Sequence, residues 1–361
     1  MFIFFILLPL FYLASNIYIY CKLLRATKHK HIITRAVLSL LFWGTAFSLF
    51  ISIGTKENEH LPDLLSRTLF VAGSLWVVFI IFTAAISFIF DISRLILPKF
   101  KCNTLHAVFI SALLLCYGYY IHSNPQIVPL DITLDKAMKE SLKIAVVSDL
   151  HLGHGTGKGL LKKYVEKINA EKPDLILITG DLIDNSLKPV IANHLDEELS
   201  LLNCPLGVYM APGNHEHISG YEECDKFLKN TPIHLLRDTI ITLPNNVQII
   251  FRDDYINPSR ADIFSLCAQT HKEKPTILLD HQPRNIALKD LLGIDIQLSG
   301  HTHHGQVWPG NYITDQLFEQ SHGYRKWKNS HVWVSSGVSL WGPPLRLGTR
   351  GDIAIITLKG Q

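Results

Sequence analysis

Hydrophobic and polar positions divide the chain into two kinds of pattern. In the first 123 residues apolar positions run on without a polar face. Met1–Cys21, Ala36–Thr55 and Thr68–Phe90 hold no charged residue, and Leu105–Ser123 holds only His106 and His122 near its ends. A helix needs roughly 20 apolar residues to cross the hydrocarbon core of a bilayer. A soluble core helix is usually shorter and keeps one polar face. The pattern therefore predicts a four-helix transmembrane domain over residues 1–123.

The chain then turns polar, with Pro125 and Pro129, and residues 124–142 read as a linker. From residue 143 to 361 short β-rich apolar runs each lead into a polar cluster. Lys143–Ser148 precedes Asp149 and His151, and Leu175–Thr179 precedes Gly180, Asp181 and Asp184. Gly207–Ala211 precedes Gly213, Asn214, His215 and Glu216. Thr276–Leu279 precedes Asp280 and His281, and Asp295–Ser299 precedes Gly300, His301, Thr302, His303 and His304. Gly159–Glu171, Val190–Leu202 and Arg260–His271 read as intervening helices, and Val332–Ser336 and Ile353–Leu358 as two closing strands. Strand–helix alternation predicts an α/β domain, whose sites form at the carboxyl ends of strands.

Charge changes the picture at two points. Residues 1–121 carry ten Lys/Arg against four Asp/Glu, and residues 122–361 carry 24 against 27. The mildly acidic back part gives no electrostatic basis for binding nucleic acid. In the front part the loops Lys22–Arg35 and Arg94–Lys101 are basic, while Lys56–Arg67 is mixed. Basic short loops stay cytoplasmic. With four crossings the N-terminus and the C-terminal domain then both lie outside the cytoplasm. The first stretch lacks the basic leader and the cleavage site of a signal peptide, so it reads as an uncleaved helix. The six cysteines form no framework. Cys204, Cys224 and Cys267 show no metal-like spacing; a Cys204–Cys224 bridge and buried free thiols both remain open.

Taken singly, each polar cluster is an ordinary turn or helix cap. Five in succession, all rich in Asp, Asn and His, fit one chemistry. A phosphate ester is anionic and repels hydroxide. Two divalent ions roughly 3.5–4 Å apart clamp the phosphate and acidify a water between them. Imidazole, carboxylate and amide ligands suit Mn, Fe or Zn without cysteine.

The order D-x-H, GD-x-x-D, GNHE, a lone His and GHTH resembles the calcineurin-like metallophosphoesterase superfamily, over roughly Leu142 to Leu358. The resemblance implies a four-layer α/β/β/α sandwich of two mixed sheets. It implies one metal on Asp149, His151 and His303, a second on Asn214, His281 and His301, and Asp181 as the bridge. His215 would contact the phosphate and protonate the leaving oxygen, with Glu216 in the acidic position that orients it. Manganese is the favoured ion. Asp184 reads either as a residue behind the ligands or as a helix cap. His304, His154 and His217 are candidates for substrate contact or for the surface. Asp253 and Asp254 resemble a paired acidic position without a catalytic role.

GHTHHGQVWPG, Val332–Gly337 and Pro344–Arg346 look like the membrane-associated branch. That branch includes envelope phosphoesterases and UDP-2,3-diacylglucosamine pyrophosphohydrolases. Gly337-Val338-Ser339 and Arg350-Gly351-Asp352 depart from the branch's usual Gly-Leu-Gly and Pro-Glu. Arg346 reads as structural rather than anion-binding. The expected protein is a multi-pass integral membrane phosphoesterase, its partners a lipid bilayer and a phosphomonoester or phosphodiester from a lipid or the cell envelope. A non-catalytic metal-binding scaffold is the contrasting reading.

Overall fold

The computed structural model describes residues 2–55, 61–97 and 99–361, with the side chains of 2–7 and 289 also outside the described set. Lys56, Glu57 and Glu59 of the mixed loop lie outside it. The chain forms two compact units, Met1–Tyr120 with Gly342–Leu345, and Ile121–Trp341 with Arg346–Gln361.

The first unit holds the apolar helices α1 (Phe2–Ala26), α2 (Ile32–Gly54), α3 (Asp63–Ile96) and α4 (Thr104–His122). Among the described residues, α2, α3 and α4 are long and apolar enough to cross a membrane. Lipid is as apolar as leucine, so greasy side chains alone do not tell such helices where to meet. Polar contacts and one small residue do so. Trp76 Nε1 donates to Asn16 Oδ1 at 3.0 Å, and Tyr12 OH donates to Ala46 O at 2.7 Å. Lys22 Nζ meets Asp91 Oδ2 at 2.6 Å, tying α1 to α3. Gly73 admits α2, since a Cβ there would lie 2.2 Å from Leu49 N.

The second unit is built on twelve strands: β1 (Gln126–Leu134), β2 (Leu142–Val147), β3 (Leu175–Ile178), β4 (Val208–Met210), β5 (Ile233–Leu235), β6 (Thr239–Thr242), β7 (Gln248–Phe251), β8 (Thr276–Leu279), β9 (Ile296–Ser299), β10 (Gly323–Trp327), β11 (Ser330–Val334) and β12 (Asp352–Gly360). They form two mixed six-stranded sheets, ordered β1-β12-β2-β3-β4-β5 and β10-β11-β9-β8-β7-β6.

Side-chain alternation explains the layers. Ile144, Val146, Leu175, Leu177, Ala354 and Ile356 of the first sheet share one core with Ile249, Phe251, Ile277, Leu279, Ile296 and Leu298 of the second. The residues between them face outward. Ala145, Val147, Ile176 and Ile178 pack against α5 (Lys158–Ala170) through Leu161, Tyr164, Val165 and Ile168. Ile250 and Leu278 pack under the short helix Ile263–Cys267. The result is the α/β/β/α order implied by the motifs.

Three expectations need correction. Residues 124–142 are not merely a linker, because Gln126–Leu134 is a strand paired in parallel with β12, from Gln126↔Asp352 to Leu134↔Gly360. β1 is an edge strand, where Pro129 is tolerated because no second neighbour needs its missing N–H. The helix expected over Val190–Leu202 splits into Lys188–Ala192 and Leu195–Leu199, with His194 at φ 49° between them. That expected over Arg260–His271 shortens to Ile263–Cys267, capped by Asp262, whose carboxylate accepts from Phe264 N and Ser265 N at 3.0 and 3.2 Å.

Candidate metal centre

The turns that follow β2, β3, β4, β8 and β9 bring Asp149, His151, Asp181, Asn214, His281, His301 and His303 into one buried cluster. Five of these seven residues adopt left-handed backbone conformations, with φ of 54° at Asp149, 44° at His151, 53° at Asp181, 70° at His301 and 48° at His303. Such strain in residues with a Cβ persists only where the surroundings over-determine it, and it concentrates at functional sites. Two glycines make room. A Cβ on Gly213 would lie 2.2 Å from Asp181 Oδ1, and one on Gly300 would lie 2.3 Å from Asp149 Oδ2.

The polar atoms converge at two points. At the first, His151 Nε2 and His303 Nε2 face each other at 3.0 Å, with Asp149 Oδ1 at 3.8 and 3.3 Å from them. At the second, His281 Nε2 lies 3.1 Å from Asp181 Oδ2, and His301 Nδ1 lies 2.9 Å from Asn214 Oδ1. Asp181 Oδ2 also stands 3.7 Å from His151 Nε2, so it looks toward both points. An ion with bonds of about 2.0–2.2 Å holds neighbouring donors roughly 3.0–3.5 Å apart. The donor types and spacings fit divalent ions at both points.

The rings are aimed from behind. His281 Nδ1 donates to Thr179 O at 2.7 Å, which leaves Nε2 for the centre. His151 Nδ1 lies 3.3 Å from Asp184 Oδ1. Partners of this kind fix the tautomer of a ligating imidazole. Main-chain carbonyls such as Thr179 O have no sequence signature, so only the folded chain reveals this support.

Electrostatics match the geometry. Burial works against charge on His151, but the nearby carboxylates of Asp149, Asp184 and Asp181 raise it to about 10. His281, opposed by burial in the same way, is raised well above the usual imidazole value by Asp181. Burial would raise Asp181, yet His281 and His151 hold it well below the carboxylate range. Burial and the charge of His281 push His301 down to about 4. The buried carboxylates thus favour positive charge at this place.

The remaining candidates separate. His215 packs edge-on against His151, with ring centroids 4.5 Å apart, and its Nδ1 donates to Asp184 O at 2.5 Å. Glu216 does not orient it. The buried Glu216 carboxylate instead accepts four main-chain N–H groups, from Gly213 at 2.7 Å, Asp181 and Leu182 at 2.9 Å and Ile183 at 3.1 Å. The expectation that Glu216 directs His215 is therefore corrected: Asp184 does so through its carbonyl, and Glu216 ties the Asp181 turn to the Asn214 turn. Asp184 caps no helix, since the next one begins at Lys188. His217 Nε2 pairs with Asp253 Oδ1 at 2.6 Å. Asp254 accepts from Gln282, a buried residue whose place directly after His281 was the only sequence signal of its role. His304 stacks on His322 within a separate, more exposed cluster with Asp315, and His154 is half-buried in a turn.

A sequence profile described as calcineurin-like phosphoesterase matches residues 142–305. An uncharacterized metallophosphoesterase of Campylobacter jejuni is 30% identical over 377 residues, covering 99% of this chain and 98% of that protein. The chain belongs to the calcineurin-like phosphoesterase family. A Helicobacter pylori member, also an uncharacterized metallophosphoesterase, is 33% identical over 86% of this chain and 88% of its own length. A transmembrane protein with metallophosphoesterase domain from Danio rerio is 29% identical over 71% of this chain and 63% of its own length. Phosphoester hydrolysis is the reaction this family name denotes, and among the described residues three helices of this member are long and apolar enough to cross a membrane.

Where this phosphoesterase departs from the branch pattern, the residues support the Asp149 turn. Val338 N and Ser339 N donate to Ser148 O at 2.9 Å and Asp149 O at 3.0 Å. Among the described residues the fully buried Arg346 donates only to main-chain carbonyls, including Gly337 O at 2.8 Å, Ser339 O at 3.0 Å and His303 O at 3.2 Å. It clamps the loop that backs His303 and has no free N–H for substrate at Nη2, which also donates to Ser336 O. All six cysteines are free thiols.

Proposed function

We propose that the protein is a membrane-anchored phosphoesterase with two divalent ions, manganese favoured. Asp149, His151 and His303 would hold one, Asn214, His281 and His301 the other, and Asp181 would bridge them. The observation that carries this reading is the pair of buried convergence points joined by Asp181. Divalent ions supply Lewis acidity to phosphoryl oxygens and acidify water. His215 has its Nδ1–H committed to Asp184 O, so its Nε2 is the ring atom left to contact the phosphate and to give a proton to the leaving oxygen. Asp184 and Thr179 orient the rings, and Glu216 keeps the Asp181 and Asn214 turns in register.

The substrate is a lipid or cell-envelope phosphate ester. Support comes from the helix Gly310–Leu317, which follows the His303 turn and buries none of its residues. Trp308, Tyr312, Ile313 and Leu317 stand exposed there, at 54%, 61%, 45% and 72%. Aromatic and aliphatic residues of this kind settle at membrane–water interfaces. The basic loops Lys22–Arg35 and Arg94–Lys101 support an orientation in which four crossings leave the catalytic domain outside the cytoplasm.

The test uses the detergent-solubilised full chain, stripped with chelator and then supplied with Mn, Zn or Mg and bis(p-nitrophenyl) phosphate. Metal is expected to restore turnover, and Asp181→Asn to lower kcat by about a thousandfold, as expected when charge stabilisation worth several kcal/mol is lost. An Asp181→Asn protein as active as the parent would overturn the two-ion reading. A reporter enzyme that functions only in the cytoplasm, fused after Gln361 and found active, would overturn the orientation.

A further inference from the structure

A second group of imidazole and carboxylate side chains lies apart from the seven residues of the buried centre. His304, on the turn after β9, stacks face to face on His322, with ring centroids 3.4 Å apart and ring planes 15° apart. His304 Nε2 stands 3.8 Å from Asp315 Oδ1. One ligating atom from each of His304, Asp315 and His322 falls within 4.8 Å of the other two.

These side chains are held from behind. The buried Ser321 hydroxyl donates to Asp315 Oδ1, so toward His322 it is an acceptor, 3.3 Å from Nδ1. His322 then carries its proton on Nδ1 and keeps the lone pair of Nε2 for a ligand. Thr302 Oγ1 accepts from His304 N at 3.2 Å and donates to Ser321 O, which joins the segment of one histidine to that of the other. His304 also has a left-handed backbone, with φ 48°, a conformation that collects at functional sites in residues with a Cβ.

The donor set selects the ion. Two imidazole nitrogens and one carboxylate suit zinc, which takes three protein ligands and a water at bonds of about 2.0–2.2 Å. Calcium and magnesium prefer oxygen donors. Donors around a zinc ion sit roughly 3.0–3.5 Å apart. Closing to that spacing from 3.8 Å needs only small rotations, and Asp315 and His322 are exposed enough to make them.

The helix between the two histidines gives such an ion work to do. Gly310–Leu317 carries Asp315, has eight residues and buries none of them. Helices shorter than about 12–15 residues are marginal in water without tertiary packing. A metal bond from Asp315 to histidines before and after the helix would supply the missing restraint, since metal binding adds directly to folding free energy.

We propose that His304, Asp315 and His322 form a zinc site separate from the buried centre. The ion pins the Gly310–Leu317 helix, with its exposed Tyr312, Ile313 and Leu317, to the turn that carries His303. Zinc thereby sets the order of this apolar helix.

The experiment uses the detergent-solubilised full chain, stripped with chelator and dialysed against zinc. Bound zinc is counted by elemental analysis, and amide hydrogen exchange is followed across Gly310–Leu317. The parent is expected to hold one more ion per chain than His322→Ala or Asp315→Asn. Each variant should bind that ion about a hundredfold more weakly, one ligand's share of the affinity of a metal site. Zinc should slow exchange in the helix of the parent and leave it unchanged in both variants. Equal unfolding temperatures in chelator show that the substitutions spare the fold. Equal zinc content and affinity in all three proteins would overturn the site. Loss of the ion without any change in helix exchange would overturn the pinning. Asp181→Asn should leave the difference between parent and His322→Ala intact, so failure of the two-ion reading and failure of this site are distinguishable.

Discussion

Polar groups are used in opposite ways in the two units. Among the membrane helices they are few and they join helix to helix: Asn16 to Trp76, Tyr12 to the Ala46 carbonyl, Lys22 to Asp91. In the sandwich they are crowded at the strand ends, and the fold works to keep them there. Asp149, His151, Asp181, His301 and His303 are bent into left-handed conformations, and Glu216 is surrounded by four amides. The difference follows from the surroundings. In lipid an unmatched polar group is costly, so such groups are scarce and paired. In the sandwich a rigid hydrophobic core on both faces of each sheet supplies the stability that lets strained, charged turns persist.

If the site depends on that scaffold as described, Glu216→Ala should produce the largest loss of stability. A buried acceptor of four N–H groups would disappear and leave them unpaired, and unfolding should become easier by about 3–5 kcal/mol. Thermal or denaturant unfolding of the purified protein measures it. Unchanged stability with lost turnover would instead return Glu216 to the catalytic role that its motif suggests.

The division of labour is sharpened by Asn16→Ala. Removing one interhelical hydrogen bond in a membrane should cost about 0.6–1.7 kcal/mol. Hydrolysis of bis(p-nitrophenyl) phosphate should stay within about twofold of the parent, because a polar contact within α1–α3 has no part in the chemistry. A tenfold fall in kcat would show that the helices take part in the chemistry, and the contrast between the two units would fail.

The smallest effect concerns pH. The hydrogen bond to Asp253 raises His217 against the burial that lowers it. Burial would raise Asp253, but His217 and Asn257 lower it. The His217 contribution is fully present below its unfolded value of about 6.5 and fades as pH rises through the raised folded value. The Asp253 contribution is present above about 3.9 and fades as pH falls through the lowered one. Asp253→Asn should therefore lower the unfolding temperature most between those limits and least in alkali. A melting-temperature series against pH for parent and variant checks this.

Much of the fold was legible because its signals are local. Uniformly apolar stretches mark α1 to α4, and short continuous apolar runs mark β2, β3, β8 and β12 as strands buried on both faces. β1 was missed because its prolines and polar residues suit an edge strand as well as a linker. β5, β6 and β10 are short and pair at or near sheet edges, where sequence pattern is weakest. In the site, the seven candidate ligands could be named from motif order. Asp184 and Gln282 could not be assigned roles, because each acts through a partner far away in sequence or through a main-chain atom.

The sequence by itself determined the two kinds of unit, the family and the residue types gathered at the centre. Hydrophobic period and motif order are properties of neighbouring residues, and neighbours can be read along a chain. Tertiary structure alone decided that Glu216 braces rather than orients and that Asp184 O aims His215. Those outcomes depend on which polar atoms meet when strands distant in sequence close into one sandwich. A hydrogen bond of 3 Å is settled by that closure and not by residue type.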